Sequence, residues 1–448
     1  MKLRVFQSGK GDCLLLTGAD GRNVLIDGGM RDAYSEHVAP ALGEMRDNNE
    51  TIDVVYVSHI DQDHISGVLQ MMDDEVAWRV HEFQLAHDNP NHKVPAAPRP
   101  PKVKAIWHNA FHQQVSKNTK KIEDMLAASA AVLSGSENSI VRQLATDQRE
   151  LVTSIAEAIQ LTIRVSPEQL GIKVNGPAGG KLMLVRAGTT TAIKVGSLRF
   201  RIIGPFSSDL STLRKEWNEW LKKNQDQLKK LRARAQKEES KFSTKEIDDI
   251  ILPKIEQAEI LSGLLPLDGL ATAFKLGQRE KVTTPNLASL MFLVEESGKT
   301  LLLTGDGHHS DIVRGLKSVK KFNGNQGLHV DVLKVQHHGS EHNLDEEFCR
   351  KVTADNYIFC ANGEHENPDL RVIQAIADSR LGKGTQLSSN AEVGNPFKFW
   401  INCHSSVTKE TAKDHMKEVE SLVEKLAKNS NGRMSFFFLK GSSFELQI

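Results

Sequence analysis

The chain has only four cysteines, Cys13, Cys349, Cys360 and Cys403, and no CxxC pair. Spacing this wide implies neither a disulfide framework nor a cysteine-ligated zinc site, and it suits a reducing compartment. Long apolar runs are also lacking. None approaches the ~20 residues needed to cross a bilayer. The opening MKLRVFQSGKGDCLLL has no signal-peptide core. Nor is there an excess of charge, since Lys+Arg and Asp+Glu both number 57. That balance argues against a protein made mainly to coat nucleic acid or an anionic membrane, although a local basic surface stays open. The expectation is a soluble cytoplasmic protein with no membrane partner, long enough at 448 residues to bury a full core.

What is present reads as strands mixed with helices. Leu3–Phe6, Cys13–Thr17, Asn23–Ile26 and Val54–Val57 are short β-rich runs separated by Gly or Asp clusters. Residues 88–104 gather prolines and read as an exposed loop. From Asn118 to about Ile163 the pattern is helical. Strands are expected again at Lys181–Val185 and Ser197–Ile203. The stretch Leu210–Leu261 is so polar that a long exposed helix or hairpin is expected. The last third alternates strands (Ser289–Val294, Thr300–Leu303, Val330–Val335, Tyr357–Cys360) with helices near Ser310–Leu316, Asp345–Val352 and Pro368–Ala377. This pattern points to layered α/β.

Three segments carry chemistry. In Ser58-His59-Ile60-Asp61-Gln62-Asp63-His64, two histidines and two aspartates follow an apolar strand. At a strand-to-helix turn they can converge as a mixed N/O ligand set for zinc, manganese or iron. The competing reading is a charged turn in which Asp caps a helix. Lys299–Gly307 runs a buried strand into a glycine turn holding one carboxylate, Asp306, and alone this would be an ordinary turn residue. His308 and His309 follow as loop residues. Asp331–Ser340 ends a third strand in His337-His338-Gly339-Ser340, where paired histidines face a cleft more readily than a core.

The first segment resembles the HxHxDH signature of the metallo-β-lactamase superfamily, in an HxDxDH variant. Leu302–Asp306 resembles that family's bridging-aspartate element. Asp331–Ser340 is similar to an element of the nuclease-like domain of bacterial DNA-uptake channel (competence) proteins, and Asn362–Pro368 loosely resembles its NxxGHPxP element. Gly9–Cys13 and Asp27-Gly28-Gly29 belong to the same resemblance, as does Pro285-Asn286. It implies an αββα sandwich over 1–390, interrupted by mainly helical insertions at about 113–175 and 207–265, with a C-terminal α/β extension over 391–448. It also implies two divalent metal ions, zinc or manganese with magnesium possible. His59 and Asp61 would serve one ion, Asp63 and His64 the other, and Asp306 both. His338 and His365 are the expected further ligands, with His337 behind them or as proton donor. The choice among these three stays open. For the family's remaining histidine the candidate is His108, with His112, His87 and His92 competing.

The implied reaction is hydrolysis by metal-bound hydroxide, with Asp63 and His337 as catalytic groups. Aspartate at position 61 hardens the donor set, and hard donors favour phosphate oxygens. A phosphodiesterase or nuclease acting on nucleic acid or a nucleotide is therefore the first expectation. Lys222, Lys223, Lys229, Lys230, Arg232, Arg234 and Lys237 could grip a phosphate backbone or simply solvate a helix face. This basic stretch offers no aromatic interleaving beyond Trp217 and Trp220 just before it. The alternatives are a small-molecule ester or lactone (β-lactamase-like) hydrolase and a partner-binding protein with a vestigial site. The polar insertions suggest a homodimer or protein partner.

Overall fold

The computed structural model describes residues 1–109, 157–186, 191–208, 210–211, 288–322 and 327–448. Most of both expected helical insertions lies outside the described residues, with the basic stretch at 222–237, Trp217, Trp220, His112, Pro285 and Asn286. Residues 157–165, the end of the first expected helical segment, are helical.

The chain begins with β1 (Lys2–Phe6), β2 (Leu14–Thr17) and β3 (Asn23–Ile26), then α1 (Arg31–Ala33) and α2 (Ala39–Asp47). Next come β4 (Thr51–Ile52), β5 (Val54–Val57), α3 (Gln62–Ala86), β6 (Lys102–Val103), β7 (Ala105–His108) and β8 (Lys173–Val174). β9 (Ile193–Val195), β10 (Leu198–Gly204), β11 (Met291–Glu296) and β12 (Lys299–Leu303) lead to α4 (His309–Ser318). The end of the chain holds β13 (Leu328–Lys334), α5 (Glu346–Lys351), β14 (Val352–Phe359), α6 (Leu370–Leu381), β15 (Phe397–Ile401), α7 (Glu410–Lys428), β16 (Met434–Phe438) and β17 (Ser443–Gln447).

Two large sheets result, in the orders β17-β1-β2-β3-β5-β7-β8 and β16-β15-β14-β13-β12-β11-β10-β9, beside a small two-stranded sheet of β4 and β6. The period-2 alternation of side chains sorts each strand between two cores. Val24, Ile26, Val54, Tyr56 and Trp107 from the first sheet meet Phe200, Phe292, Leu301, Leu303 and Val332 from the second. The opposite faces of the same strands point outward. Leu25, Val55, Val57 and Ile106 pack with Leu42 of α2 and Ile65, Val68 and Leu69 of α3. Leu302, Leu333 and Tyr357 pack with Ile312, Ile373, Met416 and Val419 of α4, α6 and α7. Each large apolar side chain buried this way contributes about 1.5–3 kcal/mol. The architecture is the mixed α/β, four-layer αββα sandwich that the resemblance implies. No helix among the described residues is long and apolar enough to cross a membrane.

The strand expected at Lys181–Val185 does not form, and only Val185 bridges to Phe206. The Asn109 side chain takes the strand partner's place. Its Oδ1 accepts from Met183 N at 2.8 Å and its Nδ2 donates to Met183 O at 2.9 Å. The region expected as a C-terminal extension is α/β and belongs to both sheets. β15 and β16 continue the second sheet in parallel, while β17 returns to pair with β1.

Parallel pairing of β3, β5 and β7, and of β12, β13 and β14, brings their C-terminal ends to common edges. Such edges are where open α/β sheets collect functional loops.

Candidate metal centre

β5 ends at Val57, and Asp61 opens α3. Its carbonyl accepts from the N–H groups of His64 (2.9 Å) and Ile65 (3.1 Å), the usual first helical turn. Its side chain makes no capping hydrogen bond. Instead Asp61 Oδ2 stands 3.6 Å from His59 Nε2, so the capping reading of this carboxylate is set aside. The helix start is pressed against two loops. A Cβ on Gly67 would lie 2.0 Å from Gly28 O, and one on Gly11 1.7 Å from Asp63 O. Only glycine permits either approach.

Asp306 leaves the end of β12 through Gly305, whose φ is +48°. Thr304 Oγ1 donates to Lys334 O at 2.7 Å, and Asn343 Nδ2 donates to Asp306 O at 2.8 Å. After β13 the backbone turns left-handed at His337 (φ 46°), His338 (φ 55°) and Gly339 (φ 86°). Non-glycine residues there are strained by about 1–3 kcal/mol each, and such strain gathers at functional sites.

These turns converge on Asp306, which is 2 % exposed. The Nε2 atoms of His64 (3.4 Å), His59 (3.5 Å), His338 (3.6 Å) and His337 (3.7 Å) all face its carboxylate. Each ring makes its outward contact through Nδ1. His64 meets Asp27 Oδ2 at 3.0 Å, His59 meets Ser58 Oγ at 3.0 Å, His338 meets Cys360 O at 2.9 Å and His337 meets Asn343 Oδ1 at 2.5 Å. Outward Nδ1 partners are how proteins fix the tautomer of a ligating imidazole. Asp63 Oδ2 lies 3.0 Å from His338 Nε2.

Asp12, His64, Asp306 and His338 are buried, with potential ligand atoms all within 4.8 Å of one another. Two further observations fit a divalent cation. Nε2 of His59 and Oδ1 of Asp306 are buried without a hydrogen-bond partner, a costly arrangement for polar atoms. The donor set is also the mixed N/O type such cations take.

The electrostatics agree. Burial and neighbouring His59 oppose a charge on His64, but Asp306, Asp12 and Asp27 outweigh them and lift its pKa to about 9. Burial likewise opposes a charge on His338, yet Asp306, Asp12 and Asp63 raise it to about 10. Burial pushes Asp306 up, but the surrounding histidines hold it well below the usual carboxylate range. His337 differs, since burial outweighs Asp306 and leaves its pKa below the ordinary imidazole value.

Of the expected site residues, the structure thus brings together His59, Asp61, Asp63, His64, Asp306, His337 and His338. His108 is buried at the end of β7, level with Val57 of β5, with its backbone held on both sides by the Asn175 amide at 2.8 Å. His365 is exposed, 3.3 Å from Lys10 Nζ, and stands outside the four-residue cluster. His87 caps the far end of α3, about 35 Å from His64 along the helix, and His92 folds back to 3.1 Å from His81 Nδ1, also far from His64. His308 accepts from Ser310 N at the start of α4, and His309 opens that helix. Sequence reasoning assigned no site role to Asp12, Asp27, Lys334 or Asn343, although Asp12, Asp27 and Lys334 lie in segments that carried the resemblance. No curated protein matches the chain. A protein-family model, that of the metallo-beta-lactamase superfamily, matches residues 8–123, which contain the His59–His64 turn.

Proposed function

We propose that the chain is a metal-dependent hydrolase of phosphodiesters, a nuclease or nucleotide phosphodiesterase with a dinuclear centre. The carrying observation is Asp306, one buried carboxylate faced by Nε2 atoms from two separate turns. In this reading His59 and Asp61 would hold one ion, with His108 as a third partner, Asp63, His64 and His338 would hold the other, and Asp306 would be shared. Zinc or manganese suits the set, and three aspartates among the donors favour hard phosphate oxygens over softer partners. His365 stands at the rim, where it meets substrate rather than completing a shell. When bound, the ions would supply a nucleophile at neutral pH and offset charge growing on the phosphoryl oxygens.

The protein groups divide the remaining work. Although burial pushes it up, Asp63 is held ionised far below the usual range by His64 and His338, so its Oδ2 orients by accepting hydrogen bonds and keeps its negative charge. Neutral His337 donates through Nδ1 to Asn343 and keeps its Nε2 lone pair toward Asp306. There it takes the proton released by the attacking water and passes it to the leaving oxygen.

The test is hydrolysis of bis(p-nitrophenyl) phosphate and of single- and double-stranded DNA and RNA with manganese, magnesium or zinc, wild type beside Asp63→Ala. Metal-dependent cleavage lost in the variant is expected. Turnover of esters or lactones alone, with metal still bound, would replace the substrate class while keeping the centre.

A further inference from the structure

Lys334 is the last residue of β13, and its ammonium is buried beneath the centre with a side chain 2 % exposed. It forms an ion pair with Asp12 Oδ2, approaches Gly305 O at 3.4 Å and lies 3.9 Å from Asp306 Oδ1. Asp12, equally buried, lies within ligand distance of the cluster and could be taken for a metal ligand. Its contacts say otherwise. Its carboxylate approaches Nδ1 of His338 (3.3 Å) and Nδ1 of His64 (3.8 Å), whereas both rings turn Nε2 to Asp306. Asp12 therefore stands behind the two imidazoles, on the side away from the donor atoms.

We infer that Asp12 and Lys334 are a positioning pair: Asp12 orients His338 from behind, beside the Cys360 carbonyl, and acts on His64 by charge alone, while Lys334 cancels the Asp12 charge so that it does not enter the metal shell. This assignment rests on the metal-centre reading above. A buried carboxylate so near a dication would otherwise compete for it, since unscreened attraction rises steeply at low dielectric. Pairing with Lys334 removes that competition. It also puts a fixed positive charge 3.9 Å from Asp306, so removing Asp12 alone leaves an uncompensated cation beside the ions.

The experiment is a double-mutant cycle read by Mn²⁺ affinity in calorimetry, on full-length wild type, Asp12→Asn, Lys334→Met and Asp12→Asn/Lys334→Met. Circular dichroism checks folding. Asp12→Asn is expected to weaken Mn²⁺ binding about 10–100-fold, the usual cost of losing a partner behind a ligand. The double variant, which leaves no lone buried charge, is expected to bind at least about threefold tighter than Asp12→Asn, a coupling typical of directly paired groups. Because lifting the Lys334 charge helps in either case, X-ray absorption of the Mn²⁺-loaded wild type and Asp12→Asn completes the test: an unchanged donor count is expected, and one oxygen donor fewer in the variant overturns the assignment. So does an Asp12→Asn protein that binds as wild type does. Should Lys334→Met fail to fold because Asp12 is left buried and unpaired, the double variant and the donor count still decide, since replacing a whole buried pair is commonly neutral. Wild type that binds no Mn²⁺ overturns the metal centre itself, and this pair's role with it.

Discussion

The turn after β5 and the turn after β13 each bring histidines to the same carboxylate, but by different backbone routes. The first is a helix start. Its Asp61 has ordinary extended angles (φ −63°, ψ 146°), and the following residues simply enter α3. The second holds His337 and His338 left-handed in succession, braced by Asn343 and by the Cys360 carbonyl. The first turn's geometry comes cheaply from local preference. The second is imposed by its surroundings and tolerates less change. Asp306 stands between them and answers to both.

Substitutions can break this symmetry, and the largest effect belongs to the shared residue. Asp306→Asn should abolish metal binding at both positions, a loss beyond the roughly 100-fold seen for outlying partners, read as metal per chain after dialysis. Two ions retained would mean that the turns bind independently. Next, the two turns should separate in kinetics. His64→Ala should lose metal and stability together, by about 1–3 kcal/mol, because Asp27 is left without its imidazole. His337→Ala should keep metal yet slow turnover about 10²–10⁴-fold, as the loss of a proton-transfer group does. Equal metal loss in both variants would erase the distinction.

Smaller effects follow from backbone and pH. Gly339→Ala places a Cβ 2.7 Å from Pro368 Cβ at a φ of +86°, and should lower the melting temperature through strain of about 1–3 kcal/mol. A variant as stable as wild type would show that the second turn is not imposed. Finally, the metal-free protein holds His64 and His338 protonated up to about 9 and about 10. Their imidazolium–carboxylate pairs stabilise the fold fully below the unfolded imidazole value of roughly 6.5, and that contribution is lost as pH rises through 9 to 10. Metal must displace the same protons, so affinity should rise with pH and binding should release protons. Calorimetry in buffers of different ionisation heat reads this directly, and no proton release would remove the ion-paired description.

Much of the first turn was legible because a helix cap needs one carboxylate, whereas this turn packs four ligand-type side chains, His59, Asp61, Asp63 and His64, directly after an apolar strand. Asp306 was legible only by resemblance, since one carboxylate in a glycine turn is ordinary. Asp12 was visible only within the Gly9–Cys13 resemblance and had no role there, because its meaning depends on Lys334, far along the chain, and nothing local marks that pairing. The strand expected at Lys181–Val185 failed for a similar reason. Its β-like residues are satisfied by an asparagine side chain from another part of the chain.

The sequence by itself determined the strand periods, the layered α/β class and the two histidine-bearing turns, because these follow from local preference and side-chain spacing. Tertiary structure decided which way each imidazole faces, which carboxylate stands in front of the rings and which behind, and that a lysine lies buried under the centre. Those choices depend on groups brought together from distant strand ends, where burial makes every unpaired charge costly and so fixes the partner of each.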